Sequence, residues 1–146
     1  MTDVIAGRCF CGGVKFQVQP PLKMFSHCHC ESCRRSHGAA FVSWTSVDEA
    51  AFKTLSGLEL VKSYQSSPGI DWQFCGTCGS PLFQTTRHSP GVIYVVAAAL
   101  DLPASYQAEA HVSFGEKVSW LDVKDHLPKY QNKTSDIIAT DPSTSD

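Results

Sequence analysis

No stretch of the 146 residues approaches the roughly 20 uninterrupted apolar positions that a membrane-spanning helix requires. The start, Met1-Thr2-Asp3, also lacks the positive region of a signal peptide, so no membrane contact and a cytoplasmic location are expected. A basic surplus is missing too. Lys+Arg number 12 against 14 Asp+Glu, the formal charge is −2, and the longest basic run is Arg34-Arg35. A nucleic-acid-binding domain normally carries clustered basic excess, so no nucleic-acid partner is expected. Neither an internal repeat nor an interdomain linker is visible. Residues 1–130 read as one domain and residues 131–146, rich in Thr, Ser and Asp, as a polar tail. With 42% hydrophobic residues and a length at which roughly 68–70% of the unfolded surface becomes buried, a core is feasible without oligomerisation or disulfides.

Against these absences stand seven cysteines: Cys9, Cys11, Cys28, Cys30, Cys33, Cys75 and Cys78. Each lies within two or three residues of another. An odd count, no secretory signal and partners two residues apart all argue against a disulfide framework. Small buried hydrophobes would scatter along apolar faces instead of clustering beside glycines. Cys-x-Cys, Cys-x-Cys-x-x-Cys and Cys-x-x-Cys are spacings of thiolate metal ligation, with zinc the default metal. Cys9 and Cys11 flank Phe10 in a strand-like stretch that sends both sulfurs to one face. Cys75-Gly-Thr-Cys-Gly79 reads as a metal knuckle whose glycines permit unusual dihedrals and close amide approach. These two clips together make a closed site of four thiolates. Cys28, Cys30 and Cys33 then form a second set with one ligand position open, the arrangement of catalytic zinc. Spacing also allows a clip shared with two of these three, or a second site closed by His27, His29 or His37.

Folding-coupled zinc binding is of order 10–16 kcal/mol, against about 5–15 kcal/mol for a whole domain, so the four-thiolate site is expected to decide whether the chain folds. Around it, residues 4–18 read as a hairpin, with Val14, Phe16 and Val18 alternating against Lys15 and Gln17. Further strands are expected at 41–44, 58–64, 71–74, 80–86, 92–97 and 110–114. Short helical turns are expected around Ser32–Arg35 and Asp48–Phe52, and turns at Ser66-Ser-Pro-Gly and Ser89-Pro-Gly. The fold class is mainly β, largely antiparallel, with little helix and pinned by metal. Trp44, Trp72, Trp120 and His111 read first as core, and Ser80 as structural.

Gly7-Arg-Cys-Phe-Cys-Gly-Gly-Val, Cys28-His-Cys-Glu-Ser-Cys-Arg-Arg-Ser-His-Gly, Phe74-Cys-Gly-Thr-Cys-Gly-Ser-Pro-Leu, Ala99-Leu-Asp-Leu-Pro, His111, Trp120 and Asp125-His-Leu-Pro follow one another over roughly residues 4–130. At these positions the chain resembles the glutathione-dependent formaldehyde-activating enzyme family, which includes the centromere protein V type of domain. All seven cysteines fall where that family places ligands. The resemblance implies a zinc-stabilised β-tent of small stacked sheets, a structural zinc on Cys9, Cys11, Cys75 and Cys78, and a more labile zinc on Cys28, Cys30 and Cys33 at the substrate pocket. It implies a carbon–sulfur lyase whose partners are glutathione and a small aldehyde, formaldehyde, joined as S-hydroxymethylglutathione.

A free thiol of pKa near 8.5 is about 3% ionised at pH 7, so full ionisation by a metal is worth about 2 kcal/mol. Holding thiol and aldehyde together can supply roughly 7–11 kcal/mol and is the larger source of any rate gain. Arg34 and Arg35 read either as partners for a glutathione carboxylate or as a solvated surface pair. His27 and His29 read either as hydrogen-bonding or proton-transfer groups beside the metal or as filler on a polar loop. A glutathione carrier and a non-catalytic, zinc-stabilised binding module are the alternatives to an enzyme. Seven thiolates and two zinc ions add three negative charges and bring the holo-protein from −2 to about −5.

Overall fold

The computed structural model describes residues 3–132. Met1, Thr2 and positions 133–146 of the expected polar tail lie outside them. The described residues cluster into two compact units, one formed by residues up to Lys23 with Thr45–Tyr106, the other by Met24–Trp44 with residues from Gln107 onward. Both are built mainly of short strands, the mainly β class expected. No described helix is long and apolar enough to cross a membrane.

In the first unit, β1 (Ile5–Arg8) and β2 (Lys15–Val18) form an antiparallel hairpin with Arg8 opposite Lys15. Val14, Phe16 and Val18 are wholly buried while Lys15 is exposed, as the alternation predicts. The turn between the strands carries Cys9 and Cys11. Here the local expectation changes: Cys9–Cys11 is not a strand edge but a turn closed by the Gly12 amide on the Cys9 carbonyl at 3.1 Å, and Phe10 is 86% exposed.

The second unit opens with β3 (Met24–Cys28), a strand that no alternation in the sequence announces, followed by α1 (Glu31–His37). α1 runs seven residues where one turn was expected, because it is closed at both ends. Cys30 caps its start, and Gly38, at φ 60°, caps its end with its amide on the Arg34 carbonyl. β4 (Val42–Asp48) begins in this unit and runs on into the first.

Back in the first unit, a 3-10 turn at Glu49–Ala51 leads into β5 (Phe52–Ser56), which pairs antiparallel with β2 and completes the three-stranded order β1-β2-β5. β5 was not visible in the sequence. Leu58–Leu60, expected as strand, is a 3-10 turn. β6 starts only at Val61 (Val61–Ser67). It continues as an antiparallel meander through β7 (Ile70–Cys75), β8 (Pro81–Thr86) and β9 (Val92–Val96). The register places Val61 opposite Cys75, Tyr64 opposite Trp72 and Phe83 opposite Val95. Phe16, Phe52 and Phe83 meet at centroid separations of 4.7–5.5 Å. They form the centre of a core that takes in Ile5, Val47, Leu82, Val95 and Leu100, and also Cys9 and Cys75. The first cysteine group is therefore an edge of the hydrophobic core.

In the second unit, β10 (Ala110–Val112), β3 and the start of β4 lie in that order. β10 runs parallel to β3, with His111 opposite His27 and Val112 opposite Cys28. Phe114, expected to end the last strand, instead begins a 3-10 turn. Residues 128–132 return beside β10: the His111 amide donates to Pro128 and the Tyr130 amide to His111, both at 2.9 Å. Trp120 departs from the core reading, being 74% exposed, whereas Trp44 is buried and Trp72 half-buried.

Candidate metal centres

The seven cysteine sulfurs gather into two groups. Cys9, Cys11, Cys75 and Cys78 place their Sγ atoms within 4.8 Å of one another, and so do Cys28, Cys30 and Cys33. No histidine nitrogen or carboxylate among the described residues joins either group. Of the partitions left open by spacing, four plus three is the one formed, with neither a shared clip nor His27, His29 or His37 in the second set. All seven are free of disulfides.

The first group is assembled from two similar turns. The Gly12 amide closes on the Cys9 carbonyl at 3.1 Å and the Gly79 amide on the Cys75 carbonyl at 2.8 Å. Gly12 (φ 78°) and Gly79 (φ 81°) occupy the left-handed region these turns demand. Each sulfur then receives a donor: Val14 N–H to Cys9 at 3.3 Å, Gly13 N–H to Cys11 at 3.4 Å, Thr77 N–H to Cys75 at 3.4 Å. Ser80 Oγ accepts from the Phe10 amide at 2.9 Å and donates to Cys78 Sγ at 3.1 Å, so the serine ties one turn to the other.

The geometry suits a metal. Cys9 and Cys11 sulfurs are 3.5 Å apart and Cys11 and Cys75 sulfurs 3.9 Å, too long for a disulfide. A tetrahedron with Zn–S near 2.3 Å has an edge of about 3.8 Å. Charge points the same way. Ser80's hydroxyl and nearby backbone amides bring Cys78 down to about 5. Burial opposes ionisation of Cys9, but the Val14 amide and the neighbouring thiols hold it below the usual thiol range. Although the Gly13 amide favours its thiolate, Cys11 is pushed up to about 11 by Cys9 and burial. Four sulfurs so placed do not ionise together without a cation.

The second group sits where β3 runs into α1. Cys28 ends the strand, and Cys30 Sγ accepts the Cys33 amide at 3.3 Å as the helix cap. Trp44 Nε1–H donates to Cys33 Sγ at 3.3 Å, a contact that the sequence reading of Trp44 as plain core did not foresee. Cys30 beside it and burial, only partly offset by Cys33, push Cys28 up to about 11. Cys28, then Cys30, then burial drive Cys33 strongly in the same direction. Three thiols that resist joint ionisation in this way form a soft donor set whose repulsion a divalent ion would relieve.

The charged and polar neighbours divide. Arg34 is half-buried and its Nε–H donates to the His29 carbonyl at 3.1 Å. Arg35 is exposed and pairs with Glu31 at 2.7 Å, one helical turn away. His27 shares a hydrogen bond with Ser43 at 2.8 Å, and burial, then His111, depress its pKa. His37 meets Ser36 Oγ at 2.9 Å and the Cys33 carbonyl at 3.1 Å, and burial lowers its pKa too. His29 is no filler. It is wholly buried, burial and then the nearby His111 bring it down to about 4, and its Nε2 lies 2.8 Å from His111 Nδ1. His111 Nε2 in turn lies 2.8 Å from Asp125 Oδ2. Sequence reading missed this chain, since His111 between Ala110 and Val112 looks like a core position.

A cleft of about 380 Å³ opens beside the first group, lined by Arg8, Phe10, Ser80, Pro81 and Asp101 among others. It borders the four-cysteine group, with Cys9 among its lining residues.

The chain is similar to proteins of known name. A Halomonas elongata protein that bears the family's name is 27% identical over 129 residues, covering 83% of this chain and 82% of its own. A Schizosaccharomyces pombe protein named as an uncharacterized lyase is 27% identical over 131 residues, covering 88% of this chain and 87% of its own. The crystal structure of a Rhodobacter sphaeroides protein superposes with a TM-score of 0.58 at 25% identity, over 68% of this chain and 92% of that one. Residues 4–116, which carry all seven cysteines, match the family model described as glutathione-dependent formaldehyde-activating enzyme, and the chain belongs to that family.

Proposed function

We propose that Cys9, Cys11, Cys75 and Cys78 hold a structural zinc, and that Cys28, Cys30 and Cys33 hold a second zinc with one position open. On this reading the protein is a cytoplasmic, lyase-type enzyme that joins glutathione to formaldehyde as S-hydroxymethylglutathione. The observation that carries it is the convergence of three sulfurs where β3 runs into α1, held by buried hydrogen bonds and with no fourth protein donor in the group among the described residues. Lyase naming in the family supports the reaction class.

The reaction is an addition. The thiol sulfur bonds the carbonyl carbon, the π pair moves to oxygen, and the thiol proton ends on that oxygen, so nothing is oxidised or reduced. When bound, zinc supplies a Lewis acid and an anchor for sulfur. The chain contributes position. Arg34 is fixed through Nε on the His29 carbonyl, which leaves its other guanidinium donors for a carboxylate of glutathione. Arg35, already paired with Glu31, is the outer of the two cations and adds charge more than geometry. Trp44, donating to Cys33, holds that sulfur in one rotamer.

The test is a titration of isotopically labelled, zinc-loaded protein with glutathione to millimolar concentration, followed by NMR. Shifts concentrated at residues 28–38 are expected, with S-methylglutathione producing far smaller ones because its sulfur is blocked. An unchanged spectrum overturns the glutathione reading and returns the chain to a zinc-stabilised binding module.

A further inference from the structure

His29 stands between two of the three loop cysteines, yet its side chain is engaged elsewhere. Its Nε2 and His111 Nδ1 are 2.8 Å apart, as are His111 Nε2 and Asp125 Oδ2. Burial works against the Asp125 charge, but the bonds from His111 and from the Leu127 amide hold its carboxyl below the usual range, so it is ionised. A carboxylate only accepts. With both rings neutral, His111 therefore gives its Nε2–H to Asp125, takes the Nε2–H of His29 at Nδ1, and leaves His29 Nδ1 as a bare lone pair. That atom is buried with no partner among the described residues.

Such a chain is costly to bury. His29 is 0% and His111 1% exposed, and unpaired imidazoles would be penalised there. Phe41 and Phe114 pack on both rings at centroid distances of 5.0–6.0 Å, and the His27 ring lies 4.9 Å from that of His111. The backbone of His29 is fixed as firmly as its ring. Its N–H donates to the Val112 carbonyl at 3.0 Å and its carbonyl accepts from Arg34 at 3.1 Å. The backbone donor and acceptor of His29 and its ring Nε2 are thus all committed. At the far end, Asp125 is itself set by the Leu127 amide at 3.1 Å and by Lys129 Nζ at 3.5 Å.

We infer that the Asp125–His111–His29 chain is a positioning device that holds Cys28 and Cys30 in the arrangement their metal requires. This rests on the three-cysteine group holding a metal, as proposed above. A ligating imidazole can be steered by its own second nitrogen. A thiolate has no such handle, and here the residue between two thiolates takes that part. His111 and Asp125 touch no reacting atom in this scheme and act through His29.

The experiment is anaerobic titration of the full chain with Co²⁺, read by thiolate-to-cobalt charge-transfer and d–d bands, with chelator competition to give each site's affinity. Asp125→Ala and His111→Phe are expected to weaken the second site roughly 10–100-fold, the usual range when a ligand's hydrogen-bonded support is removed. The first site should keep its metal. Asp125→Asn should recover most of the affinity, since its amide oxygen still accepts from His111. Asp125 is 43% exposed at its side chain, so Asp125→Ala decides the matter if His111→Phe does not fold. A second-site affinity within about twofold of the unmutated protein overturns the inference, as does equal weakening of both sites. If the unmutated protein takes up one metal only, the metal reading of the three-cysteine group falls, and this inference with it. Two metals with indifferent variants overturn the inference alone.

Discussion

Cys75→Ser is expected to leave the chain without a cooperative fold. Cys75 is wholly buried at the end of β7, opposite Val61, and belongs both to the hydrophobic core and to the four-sulfur group. Its turn and the turn at Cys9–Cys11 are far apart in sequence and meet at these sulfurs, with the Ser80 bridge and the Cys11 amide on Cys78 beside them. Serine keeps the shape but does not ionise to a soft thiolate, so the group falls to three donors in a place built for four. Folding-coupled zinc binding at such a site is of order 10–16 kcal/mol, and a domain has about 5–15 kcal/mol in total. Losing even half of the first quantity, about 5–8 kcal/mol, is comparable with the whole stability of a domain in the lower part of that range. Amide NMR dispersion should collapse and metal content drop, and a strong chelator should do the same to the unmutated protein. A dispersed spectrum with zinc content unchanged would refute the assignment of the first group.

The residues that made this site legible did so because their information is local. Cysteine spacing and the glycines beside it specify a knuckle within five residues, and the Val14, Phe16, Val18 alternation specifies β2 within another five. What stayed hidden depends on distant partners. Met-Phe-Ser-His-Cys has no alternation, and it becomes β3 because β10, over eighty residues later, lies parallel to it. Phe52–Ser56 looks like the end of a helical turn and becomes a strand through pairing with β2. Leu58–Leu60 has the composition of a strand start, but follows Gly57 at φ 81° and curls into a 3-10 turn instead. His111 and Asp125 gain meaning only when the return of residues 128–132 beside β10 brings the carboxylate to the ring. By residue type alone Trp120 reads as core, but tertiary context leaves it largely exposed.

Cys28→Ser should have the opposite character to Cys75→Ser: one metal lost from two, the fold retained, and the catalysed addition abolished. Cys28 is half-buried, and every partner of its group lies in the second unit, whose strands and buried residues Val42, Trp44, Val112 and Phe114 do not depend on its sulfur. β3 stays paired to β10 through its backbone, including the Val112 position opposite residue 28. The two remaining thiols, Cys30 and Cys33, stay hydrogen-bonded at the start of α1 but are one donor short of the three that leave a single open position. A melting temperature within a few degrees of the unmutated protein is expected, with metal content falling by one equivalent. Activity is affected more severely, because the arrangement of thiol and aldehyde is what supplies roughly 7–11 kcal/mol in a well-oriented addition. Without the site the reaction should proceed at its spontaneous rate in solution, whatever the glutathione concentration. Metal analysis, thermal melting and the rate of S-hydroxymethylglutathione formation read these three quantities independently. An unfolded Cys28→Ser beside a folded Cys75→Ser would exchange the roles of the two groups. A folded Cys28→Ser with full activity would remove the three-cysteine group from the chemistry altogether.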